Sequence, residues 1–208
     1  MILVFRGTLA PGTSTTFDAM LRDRKRVFVD MLGWDVPVVH DRYEIDQFDS
    51  ETATYLVATD EDGAHHGSIR LLPTIDDHIL GSIFPELCDA AVPRSATIQE
   101  ISRGCVSPAL RAPERRLVRN ALTTAAVEYA LGHGIEAYTC IADAGWLGQI
   151  PALGWDCSRL GRPMRIGRAM TGALRVDIRA DTLHKLRAAG TYEAAALVFM
   201  DDGRRAAA

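Results

Sequence analysis

Charged residues inside apolar, strand-like segments are the feature that most constrains this chain. Arg70 lies within the run Ser-Ile-Arg-Leu-Leu-Pro-Thr, and Glu100 and Arg103 lie within a second such stretch. The acidic run 44–49 carries three carboxylates just ahead of another strand-like segment. A charge is costly to bury unless it is paired or serves a ligand. These three places therefore predict a polar pocket that is built on a sheet.

Size, charge and cysteine content limit the functional classes that fit. The 208 residues predict one domain over 1–208, with a frayed tail over 201–208. The net charge of −4 argues against a general nucleic-acid binder, and no stretch approaches the ~20 apolar residues of a membrane span. Four widely spaced cysteines without a CxxC pair predict reduced thiols in a cytoplasmic protein. The histidines form no ligand pattern, so no metal site is predicted, and His65-His66 is assigned to a hairpin turn.

Hydrophobic periodicity predicts alternating strands and helices. A strand is expected at Met1–Phe5, followed by a helix over 17–31 with Arg24 and Met31 on its core-facing stripe and Gly33 beyond its end. Further strands are predicted over 54–59, 68–72, 97–106, 137–141, 155–160 and 166–178, and further helices over 113–131, 144–153 and 181–189. There is no repeat and no linker. The natural architecture is a mixed central sheet with helices on both faces.

The spacing of Glu100 and Arg103 poses a geometric question. In a regular strand, residues three apart point to opposite faces. Either the two serve different sites, or the strand bulges between them and turns both toward one pocket. A bulge would also splay this strand from its neighbour and open a cleft for an extended ligand. Glu100 is then a candidate general base, with a protonation equilibrium set by burial and by nearby arginines.

The other charged residues have structural and functional interpretations. Arg24 has Phe28 one turn on and Trp34 beyond the helix, and an arginine between two aromatics facing carboxylates indicates a ligand site more than snorkelling. The carboxylates of the acidic run either cap and solvate a loop or hold a cationic ligand. For Arg70, a structural ion pair with Asp46 or Asp49 is about as favoured as a ligand role, and one arginine can serve both by orienting a carboxylate that binds substrate.

Taken together, these residues resemble the acyl-homoserine-lactone synthases, the LuxI-type autoinducer synthases of bacterial quorum sensing. The resemblance runs over nearly the whole chain and rests on the order and spacing of several short motifs. In chain order these are Arg24, Phe28, Trp34, the acidic residues Glu44, Asp46 and Asp49, the run 68–74 apart from Ile69, Phe84, Glu100, Ser102-Arg103, Gly154-Trp155 and Gly161-Arg162-Pro163.

The resemblance implies a GNAT-like acyltransferase fold, a three-layer α/β/α sandwich with a mixed central sheet. It also implies two substrates and no cofactor. S-adenosylmethionine supplies the amine and the lactone skeleton, and an acyl thioester, usually on acyl carrier protein, supplies the acyl chain. The amine attacks the thioester to form an amide. The methionyl carboxylate then closes on the carbon bearing the sulfonium, which releases methylthioadenosine.

The resemblance and the chemistry together assign roles to individual residues. Glu100 is the expected base that takes the proton from the amine. Carboxylates suit the cationic end of S-adenosylmethionine, aromatic rings can contact a cation or the adenosyl group, and an arginine can hold the ligand's carboxylate. The expected S-adenosylmethionine site is Arg24, Phe28, Trp34, Asp46, Asp49, Arg70 and Arg103, and the expected acyl pocket is Phe84, Ser102, Thr139 and Trp146. Thr139 is expected on the far side of a sheet gap from Glu100, where its hydroxyl favours acyl chains with an oxygen at the third carbon. A hydrogen bond from this hydroxyl to a backbone carbonyl is nearly as favoured.

The sequence alone leaves the acyl donor and two rival functions open. The expected helix 144–153 carries no basic residue for an acidic carrier protein, so acyl-coenzyme A remains an alternative donor. Another basic face is offered by Arg111, Arg115, Arg116 and Arg119, although a solvated helix surface is at least as favoured for them. One rival is a coenzyme A-dependent N-acetyltransferase of the same fold, but the loop 106–113 lacks the glycines that would cradle a pyrophosphate. The other rival is a catalytically inactive ligand-binding homologue, which an intact Glu100 disfavours.

Overall fold

The computed structural model describes residues 1–201 and 204–205. They form two compact units. The first contains residues 1–70, residues 103–125 and the segment that begins at Glu193, and the second contains residues 71–102 and 126–192. The expectation of one domain stays a prediction. The expected frayed tail falls partly on residues 202–203 and 206–208, which lie outside the described residues.

Strands and helices are interspersed along the chain. The elements of the first half are β1 (Ile2–Arg6), α1 (Thr15–Arg24), a π-helical segment (Lys25–Met31), β2 (Val38–Val39), β3 (Tyr43–Glu44), β4 (Thr54–Thr59), β5 (His65–Pro73), α2 (Ile79–Ser82) and β6 (Ile98–Val106). Those of the second half are α3 (Ala112–His133), β7 (Ala137–Asp143), α4 (Ala144–Gln149), β8 (Asp156–Arg159), β9 (Met164–Ile166), β10 (Ala169–Asp177), α5 (Thr182–Ala188), β11 (Leu197–Asp201) and β12 (Arg204–Arg205). Short 3₁₀ turns occur at Pro85–Leu87 and Pro151–Leu153.

The first unit is built around β1, whose first four residues are buried. This strand pairs in parallel with β11 and antiparallel with β4. Helix α1 begins after Ser14, whose side chain caps it by accepting a hydrogen bond from the Phe17 amide at 3.3 Å. The Phe17 ring packs edge-on against Phe5 and Tyr55, with centroids 5.4 and 4.9 Å away. Burial of such a ring contributes about 1.5–3 kcal/mol, so this contact holds α1 on the strands.

The first helix changes its winding after α1. Residues Lys25–Met31 are π-helical, and the Leu32 amide donates to the Val27 carbonyl five residues back at 3.0 Å. The wider turn rotates the later residues relative to a regular helix. Phe28 remains buried, but Met31 is 60% exposed, so its expected place on the core-facing stripe is wrong. Single π-helical turns of this kind are frequent at functional sites.

His65 is not part of the hairpin turn to which the sequence assigns it. It begins β5 and is buried, with Nδ1 2.8 Å from an oxygen of Asp23 and Nε2 3.2 Å from the Ser68 hydroxyl. Burial alone would raise the pKa of Asp23, but hydrogen bonds from His65 and Ser107 outweigh it and lower that pKa. The expectation failed because the partner that lets His65 be buried, Asp23, lies 42 residues earlier in the chain. The sequence around His65 therefore looks like that of a solvated turn.

The second unit is built around β7 and β10. The first part of β6 pairs in parallel with β7, and β10 pairs antiparallel with β7, β8 and β9. The β6–β7 register runs from Ile98 opposite Ala137 to Ile101 opposite Cys140. Within the part of the chain that the structure describes, no helix is long and apolar enough to cross a membrane.

Two short glycine motifs of the second unit have steric explanations. A Cβ atom at Gly161 would lie 2.5 Å from the Leu87 carbonyl oxygen, so only glycine lets the backbone pass there. Gly154 has a φ of +95°, and a Cβ atom there would lie 2.8 Å from the carbonyl of Lys185 in α5. Both motifs therefore serve close backbone packing.

Candidate active site

Three arginines and three carboxylates form one buried cluster in the first unit. Its members are Arg24 on α1, Glu44 on β3, Asp46 and Asp49 in the following loop, Arg70 on β5 and Arg103 on β6. We call this set the arginine–carboxylate cluster. Its three positive and three negative formal charges cancel. The acidic run, Arg24, Arg70 and Arg103 thus lie together in one buried polar cluster, in which they pair with each other.

Arg24 is held on two sides by carboxylates. Its Nε donates to Glu44 Oε2 at 2.6 Å, and its two terminal nitrogens donate to the two oxygens of Asp49 at 2.8 and 2.9 Å. Tyr55 adds a hydrogen bond from its hydroxyl to Asp49 at 2.8 Å. Such bidentate, charge-assisted contacts fix geometry as well as charge. The Arg24 side chain is only 1% exposed, so its guanidinium is committed to the cluster.

Arg70 and Arg103 complete the cluster through Asp46. Arg70 donates to both oxygens of Asp46 at 2.7 and 3.1 Å and lies 2.9 Å from Asp49. Arg103 donates to Glu44 at 3.0 Å and to Asp46 at 2.5 Å. The ion pair between Arg70 and the acidic run is therefore present. Its second expected role, orientation of a substrate-binding carboxylate, stays a prediction.

Pairing sets the protonation of the cluster. Burial favours the neutral form of Asp49, but Arg24 and Arg70 outweigh that effect and hold the pKa of this carboxyl well below its usual range. Burial opposes the charge of Arg24, but Asp49 and Glu44 raise its pKa. Burial, and secondly the Asp49 charge, raise the pKa of Tyr55, so its phenol remains a donor. At physiological pH Asp49 is therefore ionised, Arg24 is protonated and Tyr55 is neutral.

An aromatic pair covers one side of the cluster. The rings of Phe28 and Trp34 are stacked, with centroids 4.7 Å apart, and the Arg103 guanidinium carbon lies 5.5 and 5.7 Å from the two centroids. The arginine beside the aromatics is thus Arg103. The expectation that Arg24 lies between them is wrong, because its guanidinium is bound to Glu44 and Asp49. Trp34 is 45% exposed, so this pair carries the solvent-facing part of the site.

Arg103 also has an unusual backbone. Its φ is +50°, in the left-handed region that non-glycine residues rarely adopt. This breaks the regular alternation of β6 and agrees with the expected irregularity between Glu100 and Arg103. That both side chains turn toward one pocket stays a prediction.

Glu100, in the second unit, is held by the start of α2. It is 1% exposed, and its two carboxylate oxygens accept the backbone amides of Ile79 at 3.1 Å and Leu80 at 2.7 Å. Thr139 is its direct partner in the β6–β7 register, so the expected gap between these two residues is wrong at this level of the sheet. The strands still pair there because the irregular residue of β6 comes three positions later. The Thr139 hydroxyl is buried and has no hydrogen-bond partner among the described residues.

The expected acyl-pocket residues of the second unit differ in their surroundings. Phe84 packs with Ile141 against a buried apolar cluster of Leu80, Leu87 and Ala173. Ser102 is half-buried on β6. Trp146 on α4 is 43% exposed. The acyl-pocket role of Phe84, Ser102, Thr139 and Trp146 stays a prediction.

Two residues that hold the cluster together, Glu44 and Tyr55, were not among the expected site residues. Glu44 joins Arg24 to Arg103, and Tyr55 donates to Asp49. The available signal for Glu44 was its place in the acidic run, directly after Tyr43 of the short strand β3. The backbone amides of Ile79 and Leu80, which hold Glu100, could not be identified from the sequence, because every residue except proline carries a backbone N–H.

Sequence comparisons relate this chain to known proteins. The sequence model of the autoinducer synthase family matches residues 11–186. An acyl-homoserine-lactone synthase from Rhizobium etli is 35% identical over 176 residues, which cover 83% of this chain and 82% of the relative.

Solved structures give the same result. BjaI, a CoA-dependent acyl-homoserine lactone synthase solved with MTA, has a TM-score of 0.84 and 27% identity, covering 96% of this chain and 92% of that one. The same protein with SAM and isopentyl-CoA has a TM-score of 0.82. A protein from Lactobacillus plantarum named as an N-acetyltransferase matches with a TM-score of 0.58 and 18% identity, over 86% of this chain and 98% of that one, which shows the fold alone. The expected GNAT-like α/β fold is confirmed, and the chain belongs to the autoinducer synthase family of acyltransferases.

Proposed function

We propose that this chain acylates the amine of S-adenosylmethionine and that the product then closes to an acyl-homoserine lactone, a quorum-sensing signal. The amine nitrogen bonds to the thioester carbonyl carbon, the thiolate leaves and the nitrogen loses a proton. A carboxylate oxygen then bonds to the carbon that carries the sulfonium, and that carbon–sulfur bond breaks to release methylthioadenosine. The observation that carries the proposal is the arginine–carboxylate cluster beside the Phe28–Trp34 pair. The ligands of BjaI, MTA, SAM and isopentyl-CoA, support the same substrate classes.

In the first unit, Arg103 and the aromatic pair contact S-adenosylmethionine. Arg103 is 9% exposed and Arg24 only 1%, so Arg103 is the better candidate to hold the methionyl carboxylate. The exposed face of Trp34 contacts the sulfonium or packs on the adenosyl group. Asp46 and Asp49 act through the arginines that they hold. A carboxylate already paired with a guanidinium has less charge to offer a cationic ligand.

Glu100 takes the proton from the attacking amine, directly or through one water. Two amide donors fix its carboxylate before substrate binds, and a fixed base avoids reorganisation during the reaction. If Glu100 instead positions the water that takes the proton, its carboxylate must be fixed in the same way.

The second unit also supplies the acyl pocket. Phe84 and the apolar cluster of Leu80, Leu87 and Ala173 suit an acyl chain. A buried hydroxyl without a partner costs about 1–3 kcal/mol. An oxygen at the third acyl carbon would give the Thr139 hydroxyl that partner, which favours 3-oxo or 3-hydroxy chains.

The acyl donor is a thioester on acyl carrier protein or coenzyme A. Both substrates bring their own leaving groups, so the reaction needs no cofactor. We place the reaction in the cytoplasm, because S-adenosylmethionine and acyl thioesters are products of cytoplasmic metabolism.

Mass spectrometry of organic extracts from cells that express the protein tests this function. Extracts of the wild type should contain N-acyl-homoserine lactones, and those of a matched Glu100→Gln strain should contain far less. An N-acetyltransferase would instead acetylate an amine and release no methylthioadenosine. Extracts without any acyl-homoserine lactone, from cells with folded protein, would contradict the proposal.

A further inference from the structure

The first unit contains a cavity that the proposed acyl transfer does not use. Its volume is about 320 Å³, at the lower end of the range of small-molecule pockets. Its lining residues come from the first helix, from the start of β5 and from the position directly after β6. We call it the α1 cavity. It shares no residue with the arginine–carboxylate cluster or with the Phe28–Trp34 pair.

The first helix provides one part of the lining. Its residues in the α1 cavity are Ala19, Arg22, Asp23 and Arg26. They follow the spacing i, i+3, i+4, i+7, which brings side chains onto one face of a helix. Because Ala19 has a small side chain, this face keeps room for a ligand next to the two arginines.

The ends of two strands provide the rest of the lining, through Ala64, His65 and Ser107. The Ser107 amide donates to the His66 carbonyl at 2.8 Å, which ties the two strand ends together. The His65 side chain is buried, and both of its ring nitrogens already contact protein partners, at 2.8 and 3.2 Å. This part of the cavity is therefore a fixed surface that offers no imidazole nitrogen to a metal ion.

Asp23 is already occupied by protein donors. One of its oxygens lies 2.8 Å from His65 Nδ1, the other lies 3.0 Å from Arg26, and Ser107 adds a hydrogen bond. A carboxylate with these contacts has little charge left for a bound cation. The α1 cavity therefore does not suit a cationic ligand.

Arg22 carries the charge of the α1 cavity that has no partner. It is half-buried and forms no ion pair with any residue that the structure describes. A guanidinium presents its donors in a planar fork, which fits a carboxylate through two parallel hydrogen bonds. With histidine counted as neutral, the two arginines and one aspartate of the lining leave one positive charge in excess.

We propose that the α1 cavity binds a small carboxylic acid in its anionic form. The carboxylate accepts two hydrogen bonds from Arg22 and balances the one excess charge, while the rest of the ligand packs on Ala19 and Ala64. A phosphate dianion suits the cavity less well, because it brings a second negative charge close to the Asp23 carboxylate. Binding here is a property of the first unit that does not depend on the proposed acyl transfer.

Butanoate is the probe, and butanamide is its uncharged analogue of the same shape. Each is titrated into the full-length protein at constant ionic strength, and Kd is obtained from the chemical shifts of the Ala19, Ala64 and Ser107 amides. We expect saturable shifts with a Kd in the millimolar range for butanoate, because so small a ligand makes few contacts. Butanamide should bind at least about tenfold more weakly, because the charge-assisted contact is absent.

Two variants test the cavity itself. Arg22→Gln removes the proposed contact, and Ala19→Leu fills the cavity with a good helix former while every charge remains. Each should weaken butanoate binding at least about tenfold. The matched control is Arg116→Gln, which removes an exposed arginine of α3 that has no ion pair among the described residues. Its Kd should stay within about twofold of the wild type, and thermal unfolding shows that each variant is folded.

Several results would overturn the proposal. These are shifts of the wild type that do not saturate, equal binding of butanoate and butanamide, full binding by a folded Arg22→Gln or Ala19→Leu protein, or an equal loss in the Arg116→Gln control. Inorganic phosphate that binds the same residues more tightly than butanoate would overturn the assignment of the ligand class. If Arg22→Gln does not fold, the Ala19→Leu variant and the butanamide comparison still decide the question. Because the titration needs no turnover, its outcome is separate from that of the proposed function.

Discussion

At the scale of single residues, the sequence predicted which side chains belong to the polar cluster but not which of them contact each other. The sequence assigned Arg24, Asp46, Arg70 and Arg103 to one site. The three arginines fall in apolar patterns, Asp46 lies in the acidic run, and all four match the motifs of the family that the chain resembles. It assigned the aromatic contact to Arg24, whereas Arg103 makes it. Two local departures decide this, the π-helical winding after α1 and the positive φ of Arg103. Neither has a periodic signature in the sequence.

Glu100→Gln tests the proposed base. Glutamine keeps the shape of the side chain but cannot act as a base at neutral pH, so kcat should fall roughly 10²–10⁴-fold. Acyl transfer and methylthioadenosine release should fall together, because we expect acylation to precede ring closure. Rates are measured by chromatography of both products, with unfolding temperature as the control. Undiminished rates would show that Glu100 only anchors Ile79 and Leu80.

Thr139→Val tests the acyl pocket. Valine keeps the shape and removes a hydroxyl that has no partner among the described residues. One hydrogen bond contributes about 0.5–1.5 kcal/mol net, so preference for 3-oxo or 3-hydroxy chains over unsubstituted ones should drop about 2- to 12-fold. The measurement is a competition between the two donors. An unchanged product ratio would remove Thr139 from the specificity account.

At the scale of elements, strands were more predictable than what joins them. The strand 54–59 appears with its predicted bounds because its six residues are all buried. The bounds of β5 and the π-helical winding after α1 were missed. His65 pairs with Asp23, and Phe28 of the π-helical segment packs against Trp34 and Arg103. Local periodicity does not contain either contribution.

Asp46→Asn tests how the loop after β3 supports S-adenosylmethionine binding. The change removes the negative charge of Asp46, which pairs with both Arg70 and Arg103. Arg103 should therefore lose its place beside Phe28 and Trp34. We expect a folded protein with activity at subsaturating S-adenosylmethionine cut by about tenfold or more, and a stability loss of up to about 3–5 kcal/mol.

Asp30→Asn provides the matched control for this experiment, because it removes an exposed carboxylate that is paired with Lys25. Both activity and thermal unfolding are measured for each variant. Wild-type turnover by a folded Asp46→Asn protein at subsaturating S-adenosylmethionine would refute the role.

At the scale of the whole molecule, the buried cluster makes stability depend on pH. Asp49 has a folded-state pKa below its unfolded value of about 3.9, so the unfolded chain binds more protons on acidification. Its contribution is fully present well above that unfolded value and is lost as pH falls through the folded-state pKa. Urea unfolding should therefore give a nearly constant free energy from about pH 7 to 5 and a decline below about pH 4. A free energy that stays constant to pH 3 would show that the pairing contributes nothing to folding.

Product stoichiometry tests the central claim most directly. Purified protein is incubated with S-adenosylmethionine and an acyl thioester, and acyl-homoserine lactone, methylthioadenosine and free thiol are quantified in the same samples. The account predicts that the three form in equal amounts, because one acyl transfer and one ring closure make one of each. Release of thiol without methylthioadenosine, or an acylated amine other than that of S-adenosylmethionine, would contradict it.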